Sequence, residues 1–587
     1  MKRFKEAEIE SNQDAGKHYG RSIICLIISA ALNLMVLGLV FKYTTVFYET
    51  NDDYGISDML AKGYPHIGFV NYYLCKILVT IQKSVPNVNI FVISQIVMSF
   101  LAMTFFLKIV IERRKSIGEV LMALSALAII SFDHYSCIQF TKTAALLMAC
   151  GLILLTDTYI HERRIVSFAF ATALYFTGVC YRQKGMIPSL AYVGVFMLLW
   201  WLINHREFAE RTKSWVKEIA LVLSIIIILL IPFGLDYLSD QANGSTEVLK
   251  RARDYHIERV KITDYPVYDY YEDNKDKYEE IGISDNDLHL IDRWIFDYDG
   301  AASYENLKKI NEINKDIVES NQSIDLASET LKEKTLKNIE KKNFSGIHMY
   351  MAIMLLAYVV LVTRPRNWMY VLAFAGVSYA CYLALYYMQR VQYRALYVED
   401  VNVILWLIYT ALISKKWEYK GERISREVLS LVVACGMLTL INPALKDLNE
   451  DVDYIGKTIE SEELADYFDS NQDKMFIGAS TVMEFDKSYL DPLHLPDPER
   501  NVADTGGWET LSPYKLDQLS KYGIANPVRD IINHDNVYYY SDYYRKKLTE
   551  YLNKWYGDEY GTIRFVKVDE ADGETVYKVV ADKENEY

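Results

Sequence analysis

Cysteine is scarce, and its spacing pairs none of it. The 587-residue chain has seven, Cys25, Cys75, Cys137, Cys150, Cys180, Cys381 and Cys435, all in or beside apolar segments and none in a CxxC. That excludes a CxxC zinc or redox motif and a disulfide scaffold in the long polar regions. With only 12 prolines and 27 glycines the chain is neither collagen-like nor of low complexity. Positive charge is in deficit: 63 Lys/Arg against 77 Asp/Glu leave a net −14. That balance argues against a protein that lives on nucleic acid. No phosphate-cradling glycine loop, HExxH or GxSxG is present, and no internal repeat is apparent. No small-residue cleavage site follows the first apolar run, which is also too long for a signal peptide, so it is expected to stay as a span.

What is there is segregation. A mean hydropathy of +0.00 hides apolar segments separated by charged ones. A bilayer core needs roughly 20 apolar helical residues. About eleven segments qualify: 22–41, 88–110, 116–132, 139–157, 165–180, 186–204, 217–235, 347–363, 369–388, 398–414 and 427–442. With the N-terminus inside, the inner segments read KRFKEAE (2–8), ERRK (112–115), HERR (161–164), HREFAERTK (205–213), TRPR (363–366) and SKKWEYKGERISR (414–426), each of them basic. Cytoplasmic loops carry that excess. Eleven spans then put the C-terminus outside. The expected fold is a mainly α, polytopic membrane helical bundle, N-in and C-out, with an outer helical insertion and a small extracytoplasmic α/β domain at the C-terminus. The expected divisions are a membrane domain over 1–236 with its first outer loop at 42–87, the helical insertion over 237–346, a continued membrane domain over 347–442, and the α/β domain over 443–587. That last region holds about 16 Lys/Arg against about 31 Asp/Glu, and acidic bulk outside fits the orientation.

Local signals fill in the outer regions. Ser284 followed three residues later by Asp287 reads as a capping box opening SDNDLHLIDRWIF, with Leu288, Ile291 and Ile295 on one face. In the tail, 475–480, 537–541, 562–568 and 575–580 read as strands, and 461–469, 513–523 and 541–557 as helices. The stretch 66–85 has the length of a span but carries His66, Asn71, Lys76, Gln82 and Lys83. A helix along the outer interface suits it better than a crossing, which would invert the basic loops that follow.

Chemistry has few places to sit. Asn51-Asp52-Asp53-Tyr54 opens the first outer loop, and adjacent carboxylates near lipid are costly unless solvated, cation-bound or functional. One would serve as general base toward an acceptor hydroxyl, the other orienting it or holding a divalent ion, Mg or Mn. A solvated turn would place the same residue types there. Arg182 and Lys184 in YRQKG (181–185), and Arg390 and Arg394 in QRVQYRALY (389–397), sit on the side that the positive-inside bias disfavours. They suit an anion such as a lipid phosphate, although snorkelling to headgroups is the plain alternative. Lys142, inside the fourth span, is a buried cation that needs a partner, and Asp133 is placed to be one. His66 and Lys142 join the four outer cations as candidate donor-phosphate or substrate contacts. TGGW (505–508) reads as a structural turn or a binding loop.

NDDYGISDMLAKGYPHIGFVNYYLCKIL (51–78), GISDNDLHLIDRWIFD (282–297), and TGGW followed by KYGIANP (521–527), set in this layout, resemble a bacterial group within the GT-C superfamily. These are integral-membrane glycosyltransferases that use polyprenyl-phosphate-linked sugars. The resemblance implies inverting transfer of a sugar to an extracytoplasmic acceptor (a wall polymer, teichoic acid, another glycan or a protein), with a first-loop Asp as base. Asp52 and Asp53 both match that position. The implied partners are the lipid-linked sugar, a glycan or polymer acceptor and the bilayer, with no nucleic acid. Three other readings stand beside it. A transporter would show mid-membrane charges and repeats. A non-enzymatic anchor would not explain outer cations on separate spans. A polysaccharide polymerase or ligase would centre its chemistry on outer-loop arginines.

Overall fold

The computed structural model describes residues 2–162, 164–211, 215–265, 267, 271–389, 391–414, 426–459, 461–479, 487–495 and 500–582. Of the basic segments, 161–164 and 205–213 fall partly and 414–426 almost wholly outside them. The chain opens with α1 (Lys2–Tyr43), then β1 (Phe47–Tyr48), α2 (Asn51–Ala61) and α3 (Tyr72–Ser84). Three long helices follow, α4 (Ile90–Arg113), α5 (Ile117–Ser136) and, after β2 (Cys137–Ile138), α6 (Phe140–Asp157). Then come α7 (Ile165–Tyr181), α8 (Met186–Arg211) and α9 (Trp215–Asn243). The insertion holds α10 (Glu247–Thr263), α11 (Lys275–Glu280), α12 (Asp285–Asp292), α13 (Tyr304–Asn321) and α14 (Ile324–Lys341). The bundle resumes with α15 (Phe344–Val362), α16 (Trp368–Tyr387), α17 (Tyr393–Ile413), α18 (Arg426–Leu438) and α19 (Ile441–Gly456).

Among the described residues, ten helical segments are long and apolar enough to cross a bilayer, and Ile165–Tyr181 is a shorter apolar helix. Side chains explain the ends. Asn89 Oδ1 accepts the Val92 N–H at 3.2 Å, Ser116 Oγ accepts that of Glu119 at 3.2 Å, and Gln139 Oε1 accepts those of Thr141 and Lys142. Each satisfies a donor that the first turn leaves without a partner. Burial then sorts the bundle. The apolar window of α6 is 100% buried, whereas that of α9 is 6% buried, with Ile226, Ile227, Leu230 and Ile231 exposed. Such a surface demands an apolar solvent. The chain is a multi-pass membrane protein. α3, at 13 residues, is too short to cross.

Beyond the bundle the tail forms a five-stranded sheet of β3 (Met475–Gly478), β4 (Val502–Asp504), β5 (Val537–Tyr540), β6 (Thr562–Ala571) and β7 (Glu574–Asp582). Its order is β4-β3-β5-β7-β6, parallel across the first three strands and antiparallel across the rest. The helices α20 (Glu462–Asp469), α21 (Pro513–Ser520) and α22 (Arg545–Tyr560) lie where helices were expected, while β4 carried no legible strand signal. The capping box is formed: Ser284 Oγ accepts the Asp287 N–H and the Asp287 carboxylate accepts the Ser284 N–H. Insertion and tail share one hydrophobic core, in which Tyr255, Leu288 and Phe296 meet Tyr539, Leu552 and Val579. The buried Asp297 carboxylate ties them further, accepting from Tyr551, Tyr556 and Asn526 at 2.6–2.8 Å.

Candidate functional site

The first loop is pinned before it presents anything. β1 pairs in parallel with β2, placing Phe47 opposite Cys137 and Tyr48 opposite Ile138. That locks residues 47–53 against the α5–α6 junction, and α2 starts at once, at Asn51. One helical step of about 100° then separates the two aspartates. Asp53 is fully buried. Its Oδ1 accepts the Phe140 N–H, at the first turn of α6, at 2.9 Å and the Gln95 side-chain N–H at 3.2 Å. Burial, and then the charge of Asp52, push its carboxyl well above the usual range. Asp52 turns the other way, into a cavity of about 780 Å³, with its carboxylate 3.4 Å from the Arg394 guanidinium.

That cavity gathers residues from across the chain. Arg182 and Lys184 enter from the α7–α8 junction and Arg394 from the start of α17. The Arg182 guanidinium lies 5.5 Å from the ring centres of both Phe69 and Phe140. Phe69 in turn stacks on Phe140 at 5.5 Å and meets Trp508 edge-on at 4.7 Å. Three of the expected contacts therefore share one cavity with Asp52. His66 and Lys142 do not line it. His66 stacks on Tyr72 and its Nδ1 lies 3.3 Å from Asn243 Oδ1. Lys142 is wholly buried, 2.8 Å from Asp133 and 2.6 Å from Glu49. Its foreseen partner is there, with a second carboxylate added. Arg390 lies outside the described residues.

Several lining residues carried little or no sequence signal of a role. His256, Arg259 and Lys261 come from α10, Trp294 follows α12, and Trp508 ends TGGW. The last two lie in segments that carried the GT-C resemblance, whereas Arg259 is one of five cations on a polar helix and had no signal. TGGW is both a turn and a wall. A Cβ on Gly506 would sit 1.8 Å from the Trp294 carbonyl oxygen, and Gly507 has φ +106°, so the turn requires both glycines. They let the loop close on Trp294, and a bond from Phe296 N–H to Thr505 O at 3.0 Å fastens it. Trp508 thereby reaches α2, where a Cβ on Gly55 would lie 3.2 Å from its ring. Trp294 itself has φ +60°, at a helix-terminal position where glycine is usual and a bulky residue is strained. Asp236, Asp240 and Asp264 also line the cavity.

A second cavity, of about 1140 Å³, is lined by Glu49, Asp133, Cys137, Tyr393 and Tyr489 among others. The segment 49–52 borders both, Glu49 on this side and Thr50 to Asp52 on the other. Among the described residues, one group has ligand types spaced for a metal ion: Glu49, Asp133 and Cys137, within 4.8 Å of one another. Lys142 already supplies positive charge to both of its carboxylates. The Asp52–Asp53 pair is not such a group, because the two side chains point apart.

No protein-family model and no curated protein matches the chain. Among solved structures, the crystal structure of ArnT from Cupriavidus metallidurans in the apo state aligns over 94% of this chain and 97% of its own, at 10% identity and a TM-score of 0.38.

Proposed function

We propose that the chain is a GT-C-type membrane glycosyltransferase that moves a sugar from a polyprenyl phosphate to an extracytoplasmic acceptor. The observation that supports this most is the convergence in one cavity of three distant segments, 51–71, 294 and 508, with cations from the ends of separate apolar helices. In this reading the N-terminus is cytoplasmic, eleven segments cross, and the cavity faces outward. Asp52 is the base. Its carboxylate takes the proton of an acceptor hydroxyl as that oxygen attacks the anomeric carbon, and the bond from that carbon to the phosphate oxygen breaks. The electron pair leaves with the lipid phosphate, whose charge Arg182, Lys184 and Arg394 stabilise.

Asp53 is a positioning residue. It holds the first turn of α6, and with it the Phe140 ring under Arg182. Burial raises its carboxyl while Asp52 faces the cavity, so environment separates the roles of the two carboxylates. The second cavity gives the acceptor its approach, opposite the donor. Lys142 serves the wall between the cavities and does not touch the donor.

The test is transfer of labelled sugar from a polyprenyl-phosphate donor into the envelope fraction of membrane vesicles. Asp52→Asn is expected to lower turnover about 10²- to 10⁴-fold while donor binding persists. Native turnover in that variant would remove Asp52 as base, and no donor binding by the native chain would remove the transferase reading.

A further inference from the structure

The cavity contains one guanidinium that the transfer step leaves without a task. Arg259 is 1% exposed and contributes to the cavity wall. Its Cζ lies over the Trp294 ring, 4.5 Å from the ring centre. One terminal nitrogen donates to Thr263 Oγ1 at 2.9 Å, and the other is 2.8 Å from His256 Nδ1. Asp264, Glu509 and Asp52 act on it from a distance, yet no carboxylate among the described residues makes an ion pair with it. A guanidinium withdrawn from water without a counter-charge is costly, and the strained Trp294 on which it stacks adds to that cost. Two costly residues in contact at a cavity wall point to a ligand that repays them.

The origin of the cations says which part of the ligand. Arg182, Lys184 and Arg394 sit at the ends of apolar helices, where a lipid-borne phosphate arrives. Arg259 and Lys261 belong to α10, a polar helix of the insertion. Asp52, Asp236, Asp240 and Asp264 share the lining, but Arg259 makes an ion pair with none of them, and two sources of positive charge suit a ligand with two anionic groups. Trp294 and Trp508 line the cavity beside the second source, aromatic surface of the kind a sugar packs against.

Resting on the transferase reading, we infer that the sugar transferred carries an acidic group, a ring carboxylate or a phosphate ester, and that Arg259 is the specificity residue that receives it. The guanidinium has five N–H donors, of which Thr263 and His256 engage two, and the remaining donors suit charge-assisted recognition of either group. Against a neutral sugar it stays without a counter-charge, and that difference is the discrimination.

The experiment compares polyprenyl-phosphate glucuronate, polyprenyl-phosphate glucose and the glucose donor bearing a 6-phosphate ester, with the full chain in nanodiscs. The native chain is expected to favour one acidic donor over glucose by about 10- to 100-fold in kcat/KM; which one separates carboxylate from phosphate. Arg259→Gln should abolish the preference, read as the ratio of acidic-donor to glucose-donor kcat/KM within one preparation, and Arg259→Lys should keep part of it. If Arg259→Gln does not fold, the Lys variant reads the same ratio. Equal use of all three donors by the native chain, or an equal loss for all of them in the variants, overturns the inference and leaves the transferase reading standing. Binding of no donor overturns both.

Discussion

Replacing Lys142 by Met separates a structural cation from a substrate-binding one. The Lys142 ammonium and the Asp133 carboxylate are both wholly excluded from water, 2.8 Å apart, with Glu49 at 2.6 Å on the other side. At such separations the attraction within an ion pair is about 6 kcal/mol for an effective dielectric near 20. Desolvation of the charges offsets much of that, so the pair adds little net stability over an apolar replacement of the whole cluster. Removing one partner is different, because the others remain buried and charged, at a cost of about 3–5 kcal/mol. The Tyr393 hydroxyl still donates to Asp133 at 2.5 Å, which places Lys142→Met toward the lower end. Adding Asp133→Asn removes one uncompensated charge and is expected to restore part of the loss, and Glu49→Gln should restore more. The assay is thermal unfolding in detergent with polyprenyl-phosphate binding measured alongside. Expected are a melting point several degrees lower, its stepwise recovery in the double and triple variants, and donor affinity within about twofold of native at a temperature where each variant is folded. Native stability together with donor binding weakened tenfold or more would refute the argument and return Lys142 to the donor site.

Glu509 supplies a pH signature. Burial, and then the charge of Asp504, push its carboxyl from the ordinary 4.5 up to about 7. The folded state therefore holds a proton that the unfolded state has lost, and stability falls as pH rises from about 4.5 to about 7 and is level above. Glu509→Gln should lessen the slope of that part of the melting-point profile, to which the raised carboxyls of Asp447 and Asp451 also contribute; an unchanged slope between pH 5 and 7.5 would show that Glu509 does not titrate there. The orientation is checked with single cysteines at positions 300, 420 and 520 in a chain freed of its seven native ones. The first and last should react with an impermeant reagent in intact cells and position 420 should not, whereas the converse pattern would invert the topology and the proposed outward site with it.

The membrane character of the chain and most of its helices were legible from the sequence because their determinants are local. An apolar run of 18 residues needs a bilayer or a helical core whatever lies around it, and Ser284 reaches Asp287 within one turn. Asp133 could be named as a partner for Lys142 because nine residues separate them across a tight junction. The site was only half legible. Asp52, Arg182, Lys184 and Arg394 stood out because charge at the edge of an apolar segment is anomalous by itself. Asp52 and Asp53 could not be told apart, since adjacent positions share every sequence property. The pairing of β1 with β2 sets the rotation of α2, and that rotation sends one carboxylate to the cavity and the other to the α6 N-terminus. Arg259 is one of five cations in EVLKRARDYHIERVKIT (247–263), and nothing in that string selects it. It is selected by a tryptophan 35 residues on, held in a left-handed conformation and closed over by a glycine turn from the far end of the chain. Contacts between distant segments exist only once the chain has folded, so a buried charge's partner from far along the chain, unlike the nearby Asp133 for Lys142, is a property of the tertiary structure alone.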